Sequence, residues 1–146
     1  MLSFDTNVLV YAVDKSGGEK HALAIQLIEA GEQLDTGLTE QVLIEFLDVA
    51  TNKARQPLRE SMRLVRSWLA AFPLITPGAS VVSDTLRLLS SHKLSVWDAR
   101  LLSVCAAGGC DVFLSEDLQD NALYGGVHVL NPFNPVNAPL IQELLQ

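Results

Sequence analysis

The sequence is poor in cysteine, in long apolar segments and in charge. Its two cysteines, Cys105 and Cys110, are too few for a disulfide framework, and their spacing without a nearby histidine pair is a poor zinc site. The apolar runs at 8–13 and 68–72 are far shorter than the ~18 residues of a membrane span. No basic segment followed by an apolar stretch opens the chain. We therefore expect a cytoplasmic protein with reduced thiols and no membrane partner.

Charged residues make up 18% of the chain and hydrophobic residues 49%, which excludes a disordered protein. The length of 146 residues predicts one domain, 1–146. The net charge of -7 argues against a polyanionic partner, but the basic residues are unevenly spread. Five of the ten Lys and Arg residues lie between positions 53 and 66. Arg59, Arg63 and Arg66 share one face of a predicted helix, which either binds phosphate or is a solvated face balanced by Glu60.

Short apolar strands alternate with amphipathic helices along the chain. Strands are predicted at 2–4, 34–38, 74–76, 111–115 and 126–130, and helices at 19–31, 40–53, 58–72, 81–91 and from 96 to the glycines at 108 and 109. A short apolar helix at the C-terminus either docks on the core or supplies a dimer contact. This alternation is typical of an α/β fold with a parallel sheet, whose ligands bind beyond the carboxyl ends of the strands.

Four acidic residues form the candidate site. Asp5 directly follows the first predicted strand, and Asp117 comes two residues after the segment DVFLS, so both belong at the carboxyl edge of the sheet. Asp98 lies in the first turn of its predicted helix. Glu45 is in the middle of a helix, roughly 40° from Val49, which places it on the flank of the apolar stripe.

Each acid also has a purely structural interpretation. Asp5 caps a helix, Asp98 completes a capping box with Ser95, Asp117 closes an Asx-turn, and Glu45 is a rim residue. The combination is harder to explain, because unit charges 4 Å apart repel by about 4 kcal/mol at an effective dielectric of ~20. Such a cluster must raise some pKa values or bind a cation. Oxygen ligands without a nearby histidine favour Mg²⁺ or Mn²⁺.

Four segments of the chain, in this order and with this spacing, resemble the PIN-domain ribonucleases and, among them, the small VapC-type toxins of bacterial toxin–antitoxin pairs. The segments are FDTNVLVYA, TEQVLIEF, SVWDARLLSVCAAGG and VFLSEDLQD, and the resemblance spans nearly the whole chain. It implies a three-layer α/β/α fold around a central parallel sheet of about five strands. It also implies that Asp5, Glu45, Asp98 and Asp117 are the catalytic acids and the metal ligands.

The same resemblance implies supporting positions around the acids. Ser115 fills the hydroxyl position of the Ser/Thr-x-Asp motif, and Thr6 and Asn7 supply polar support to the first acid, as partners of metal ligands commonly do. Glu116 is grouped with these supporting residues. The motif leaves open what Glu116 and Asp120 each do.

The expected function is a metal-dependent endoribonuclease with one or two Mg²⁺ or Mn²⁺ ions, in which a metal-activated water leaves 5′-phosphate and 3′-hydroxyl ends. Phosphates of the RNA are expected to contact Arg59, Arg63, Arg66 and Arg100. The family further implies a homodimer and a cognate antitoxin with a basic side chain in the acidic pocket.

Two alternatives remain open. One is a catalytically silent PIN-fold module that binds nucleic acid or another partner. The other is a different carboxylate enzyme, such as a haloacid-dehalogenase-type phosphatase or a receiver domain. The phosphatase motif requires a second Asp where this chain has Asn7, and a receiver domain requires a later Lys after a strand, which is not evident.

Overall fold

A computed structural model describes residues 1–146 of the chain. The strands are β1 Leu2–Phe4, β2 Leu38–Thr39, β3 Leu74–Ile75, β4 Val112–Leu114, β5 Leu123–Tyr124 and β6 Val127–Leu130. The helices are α1 Thr6–Val13, α2 Glu19–Gly31, α3 Glu40–Asn52, α4 Leu58–Ala71, α5 Val81–Ser91, α6 Val96–Ala107 and α7 Ala138–Leu144. Short 3₁₀ turns cover Lys15–Gly17 and Pro135–Asn137. None of the helices combines the length and the hydropathy that crossing a membrane requires.

The strands form a mostly parallel sheet. Its order is β1-β4-β6-β5, with parallel pairing of β1 to β4 and of β4 to β6, and with β5 as an antiparallel edge. Strands β2 and β3 pair in parallel with each other. Hydrogen bonds from the Leu2 amide to the Asp35 carbonyl (2.8 Å) and from the Gly37 amide to the Leu2 carbonyl (3.0 Å) attach this pair to β1. The prediction of a parallel sheet of about five strands flanked by helices is confirmed.

Apolar side chains between the sheet and the helices form one hydrophobic core. Phe4 of β1, Phe46 of α3 and Phe113 of β4 are fully buried in it. The ring of Phe46 also packs edge-to-face against Trp68 of α4, with 4.7 Å between the centroids. At the C-terminus, Ile141 of α7 is buried in the same core. Helix α7 therefore packs on the core, the first of the two positions that the sequence left open.

Helix ends follow local sequence signals. The Thr39 hydroxyl accepts a hydrogen bond from the Val42 amide (3.2 Å) and begins α3, as the sequence predicted. Strand β5 was not predicted, although a signal for it exists. Gly125 and Gly126 both have positive φ values, 57° and 90°, as the two central residues of a tight hairpin turn require, and they connect β5 to β6.

Candidate active site

Asp5 lies where β1 ends and α1 begins, and it is the most buried of the four acids, with 8% of the residue exposed. Its Oδ1 accepts a hydrogen bond from the Thr6 amide (2.7 Å) and thereby caps α1. Its Oδ2 accepts from the Ser115 hydroxyl at 2.6 Å. The backbone amide of Asp5 donates to the carbonyl of Leu114, the last residue of β4 (2.8 Å). The parallel pairing of β1 with β4 therefore places Ser115 against Asp5.

The Asp5 carboxylate is held in an unfavourable environment for its charge. Burial raises the pKa of Asp5 to about 6, against the opposing hydrogen bonds from Ser115 and the Thr6 amide. The charges of Asp117 and Glu45 make smaller contributions to this raised pKa. The pKa shift that the sequence argument expected is thus present at Asp5, but burial rather than repulsion between the acids is its largest cause.

The Asn7 side chain connects Asp5 with Asp117. Its Nδ2 donates to Asp5 Oδ2 at 3.3 Å and to Asp117 Oδ2 at 3.1 Å, and it lies 3.5 Å from the Ser115 hydroxyl. Its Oδ1 accepts from the Glu116 amide at 3.3 Å. One amide group thus joins the start of α1 to the segment that follows β4. Asn7 and Thr6 both donate hydrogen bonds to Asp5, the acid that the sequence analysis expected them to support.

Ser115 is fully buried and organises the chain after β4. Its hydroxyl oxygen accepts hydrogen bonds from the amides of Asp117 (3.2 Å) and Leu118 (3.3 Å) while its proton is donated to Asp5. This turn brings the exposed Asp117 side chain to the same side as Asp5.

Glu45 and Asp98 complete the set from two helices. On α3, Glu45 Oε1 accepts from Gln41 Nε2 (3.0 Å) and Oε2 accepts from the Thr6 hydroxyl (3.1 Å). Asp98 lies in the first turn of α6, which Ser95 caps by accepting from the Asp98 amide at 3.1 Å. The Ser95 cap is thus present, and Asp98 is one of the residues that line the cleft.

The predicted residues line one cleft of 470 Å³. It brings together the four acids and three of the predicted supporting residues: Asp5, Glu45, Asp98, Asp117, Thr6, Asn7 and Glu116. Ser115 lies behind Asp5 rather than on the cleft surface. Residues that line the cleft are up to more than a hundred positions apart in the sequence. The motif that describes the cleft therefore consists of four segments spread along the chain.

The donor set fits a hard divalent cation in its chemistry. No three acidic, histidine or cysteine side chains are grouped closely enough to enclose an ion in this arrangement. All four acids nevertheless offer oxygen ligands to the same cleft, and Asp5 carries a charge that its surroundings disfavour. The residues that could hold an ion are therefore Asp5, Glu45, Asp98 and Asp117.

Glu116 and Asp120 differ in position. Glu116 forms an ion pair with Lys20 and accepts a hydrogen bond from the Tyr11 hydroxyl (2.7 Å). Burial opposes the ionised form of Glu116, but these two contacts lower its pKa. Asp120 lies away from the cleft and accepts from the Asn131 amide (2.8 Å), Asn134 Nδ2 (2.7 Å) and Asn137 Nδ2 (2.9 Å). Asp120 thus fixes the loop before α7.

The predicted RNA-binding arginines lie outside the cleft. Arg59, Arg63 and Arg66 are exposed on α4, and Arg63 pairs with Glu60. Arg100 on α6 pairs with Glu40 instead of facing solvent freely (2.5 Å).

Sequence reasoning missed Tyr11, Asp14 and Lys53, which also line the cleft. A signal for the first two existed. With Asn7 and Val10, they recur at the i, i+3, i+4, i+7 spacing of one helix face, directly after Asp5.

These observations define an α/β protein with an acidic cleft beside the carboxyl ends of β1 and β4. The PIN domain family model matches residues 3–122, and the chain belongs to this family. Ribonuclease VapC24 of Mycobacterium tuberculosis is homologous to it, with 26% identity over 145 residues, covering 90% of this chain and 97% of that protein. VapC24 from a second strain of the same organism gives the same values.

Two solved structures share the fold. A chain of a toxin–antitoxin complex from Klebsiella pneumoniae has a TM-score of 0.65 and 21% identity, covering 91% of this chain and 98% of that one. The Mycobacterium tuberculosis toxin VapC20, which cleaves the sarcin-ricin loop, has a TM-score of 0.61 and 14% identity, covering 77% and 87%. These likenesses concern the fold alone.

Proposed function

We propose that this chain is an endoribonuclease of the VapC toxin type, which hydrolyses RNA phosphodiester bonds with one or two bound Mg²⁺ or Mn²⁺ ions. The observation that carries the proposal is that Asp5, Glu45, Asp98 and Asp117 line one cleft, with Asp5 buried at its base. Membership of the PIN family and homology to a ribonuclease support the assignment. A cytoplasmic location, where RNA is found, belongs to the same proposal.

Some side chains of the cleft would bind the ion, and others hold those ligands in position. Asp5, Glu45, Asp98 and Asp117 would hold the ion, and the hydrogen bonds from Ser115 and the Thr6 amide keep Asp5 in one orientation. A bound divalent ion supplies Lewis acidity, which makes a water molecule more acidic and offsets charge on the leaving oxygen. Ser115 and Asn7 hold the segment that carries Asp117, so that this carboxylate stays beside Asp5.

The distribution of charge supports a proposal for where RNA and a partner protein bind. The net charge of -7 repels RNA in general, so the exposed Arg59, Arg63 and Arg66 of α4 are the surface proposed to hold its phosphates. The acidic cleft fits a basic side chain of a protein antitoxin, and a toxin–antitoxin complex is among the structures with this fold. Homodimerisation is part of the proposal, and size-exclusion chromatography with light scattering tests it.

Cleavage by matched carboxylate variants tests the proposal. We expect Asp5→Asn to remove Mn²⁺-dependent cleavage of RNA, because it deletes the charge of the most buried ligand. Asp48→Asn is the matched control, since Asp48 is exposed on α3 and bonds only to Asn52 (2.6 Å). It should cleave like the wild type. EDTA should abolish cleavage in both active proteins.

The outcome that would contradict the proposal is equally direct. An Asp5→Asn protein that cleaves as fast as wild type, prepared free of wild-type enzyme, rules out a role of Asp5 in ion binding. A folded wild-type protein that neither binds Mn²⁺ nor cleaves RNA fits the interaction module instead. Mn²⁺ binding is read independently as a rise in the melting temperature, since a ligand of the folded state stabilises it by mass action.

A further inference from the structure

A buried glutamine connects the two helices that carry Glu45 and Asp98. Gln41 lies on α3 one turn before Glu45, and 8% of the residue is exposed. Its Nε2 donates to Glu45 Oε1 at 3.0 Å and to the backbone carbonyl of Trp97 at 3.2 Å. Trp97 directly precedes Asp98 in α6. One amide group therefore contacts one of the proposed ion ligands and the neighbour of another.

Arg100 fixes the orientation of that amide. Its Nη1 donates to Gln41 Oε1 at 2.7 Å, and its Nη2 donates to Glu40 Oε1 at 2.5 Å. A guanidinium group has only donors, so the Gln41 atom that faces it is the oxygen. The Gln41 amino group then faces the Glu45 carboxylate, which only accepts. A rotated amide would oppose donor to donor and acceptor to acceptor, so the network has one consistent arrangement.

Glu45 keeps free acceptor capacity within this network. Its Oε1 accepts from Gln41, and its Oε2 accepts from the Thr6 hydroxyl at 3.1 Å. An ionised carboxylate offers about four lone-pair positions, so roughly two remain for a ligand. Thr6 also donates its backbone amide to Asp5 Oδ1 at 2.7 Å. Hydrogen bonds thus run from Arg100 through Gln41 and Glu45 to Thr6, whose amide donates to Asp5.

We propose that Gln41 is a positioning residue of the ion-binding cleft, which sets the place of Glu45 relative to Asp98, and that Arg100 acts through it. The inference rests on the proposed function, because it takes these acids as ion ligands. Hydrogen bonds to metal ligands orient them, and losing one typically costs 10- to 100-fold in metal affinity. This role for Arg100 differs from the phosphate contact that the sequence predicted, and the two make different predictions.

Mn²⁺ binding to a Gln41→Met variant tests the inference. Methionine keeps the length of the side chain but removes the donor to Glu45 and the acceptor for Arg100. We expect Mn²⁺ binding, measured by calorimetry without RNA, to weaken by roughly 10-fold or more. At saturating Mn²⁺, the cleavage rate of Gln41→Met should approach that of the wild type. Gln26→Met is the matched control, because Gln26 is exposed on α2. It should bind Mn²⁺ like the wild type.

If Gln41→Met does not fold without metal, Mn²⁺ binding to a second variant, Arg100→Met, still tests the inference. Arg100→Met leaves Gln41 in place but removes the group that orients its amide, so we expect a smaller loss of Mn²⁺ affinity. If Arg100 acts only through Gln41, the double variant binds Mn²⁺ as Gln41→Met does, since coupled residues are not additive.

Three results would decide against this inference or its basis. Unchanged Mn²⁺ affinity in a folded Gln41→Met protein overturns it while the proposed function stands. So does an Arg100→Met protein with normal Mn²⁺ affinity and a raised KM for RNA, which is the signature of a phosphate contact. A wild-type protein that fails to bind Mn²⁺ overturns the proposed function and this inference with it.

Discussion

At the scale of single residues, the sequence predicted the four acids of the cleft and the polar residues beside Asp5, but not the contacts of Gln41. Asp5 and Asp117 were predictable, because each follows a strand whose carboxyl end defines the ligand edge of a parallel sheet. The contacts of Gln41 were not predictable, because they join it to Trp97 and Arg100, more than fifty residues away. Hydrogen bonds of this kind depend on how α3 packs against α6, which no local pattern encodes.

The buried charge of Asp5 predicts a pH dependence of stability that Asp5→Asn removes. The pKa of Asp5 is raised to about 6 in the folded chain from an ordinary 3.8, so between these values the folded state binds a proton that the unfolded state has released. Stability contributed by this group is therefore highest below pH 4 and lost as the pH rises through 6. The shift corresponds to about 3 kcal/mol.

Urea denaturation in EDTA between pH 4.5 and 7.5 measures this effect. All other groups are shared, so the difference in unfolding free energy between wild type and Asp5→Asn isolates Asp5. We expect the unfolding free energy of Asp5→Asn, relative to that of the wild type, to increase as the pH rises. The altered bond to Ser115 should shift this difference by a similar amount at every pH. A difference that stays constant over this range would show that burial does not shift the pKa of Asp5.

At the scale of secondary-structure elements, caps and glycines made most of the helices predictable. Thr39 and Ser95 begin α3 and α6 with the expected side-chain hydrogen bonds. Strand β5 was missed because it has two residues, too few to show a period of alternation, and only the Gly125-Gly126 turn marked it. Strands this short are defined by their neighbours in the sheet rather than by their own sequence.

The cap of α6 predicts a stability effect at the helix that carries Asp98. Ser95→Ala removes the acceptor for the Asp98 amide and should cost about 1 kcal/mol of unfolding free energy. It should also weaken Mn²⁺ binding, because Asp98 lies in the turn that loses its cap. Chemical denaturation and a Mn²⁺ titration measure the two effects.

A Ser95→Asn replacement tests whether the effect comes from capping the helix or from the serine hydroxyl in particular. Asparagine is as good a cap as serine, so Ser95→Asn should restore both stability and Mn²⁺ binding. If Ser95→Ala unfolds at the same denaturant concentration as wild type, the hydrogen bond at 3.1 Å contributes nothing to the helix.

At the scale of the whole molecule, charge is divided between two surfaces. The net charge is -7, and the cleft concentrates acids, whereas α4 presents Arg59, Arg63 and Arg66 to solvent. The sequence predicted this basic face from spacing alone, because the helical period is a local property. The sequence left open that Glu60 balances this face, and Arg63 does pair with Glu60 on the same helix, which reduces the charge available to RNA.

The basic face of α4 predicts a salt-dependent affinity for RNA. Each phosphate contact on a single strand contributes about 0.7 to the slope of log affinity against log salt concentration. Replacing Arg59, Arg63 and Arg66 by Gln should therefore lower the magnitude of that slope by up to roughly 2. Fluorescence anisotropy with a labelled single-stranded RNA and the Asp5→Asn protein, which should not cleave, measures it across salt concentrations.

Arg87→Gln provides the control for the loss of charge, because Arg87 is exposed on α5 and paired with Asp84 at 2.8 Å. Its slope should match that of the parent protein. An unchanged slope in the triple variant would mean that RNA reaches the cleft without α4. Lys53 would then be the first basic residue to test, because it lines the same cleft as the four acids.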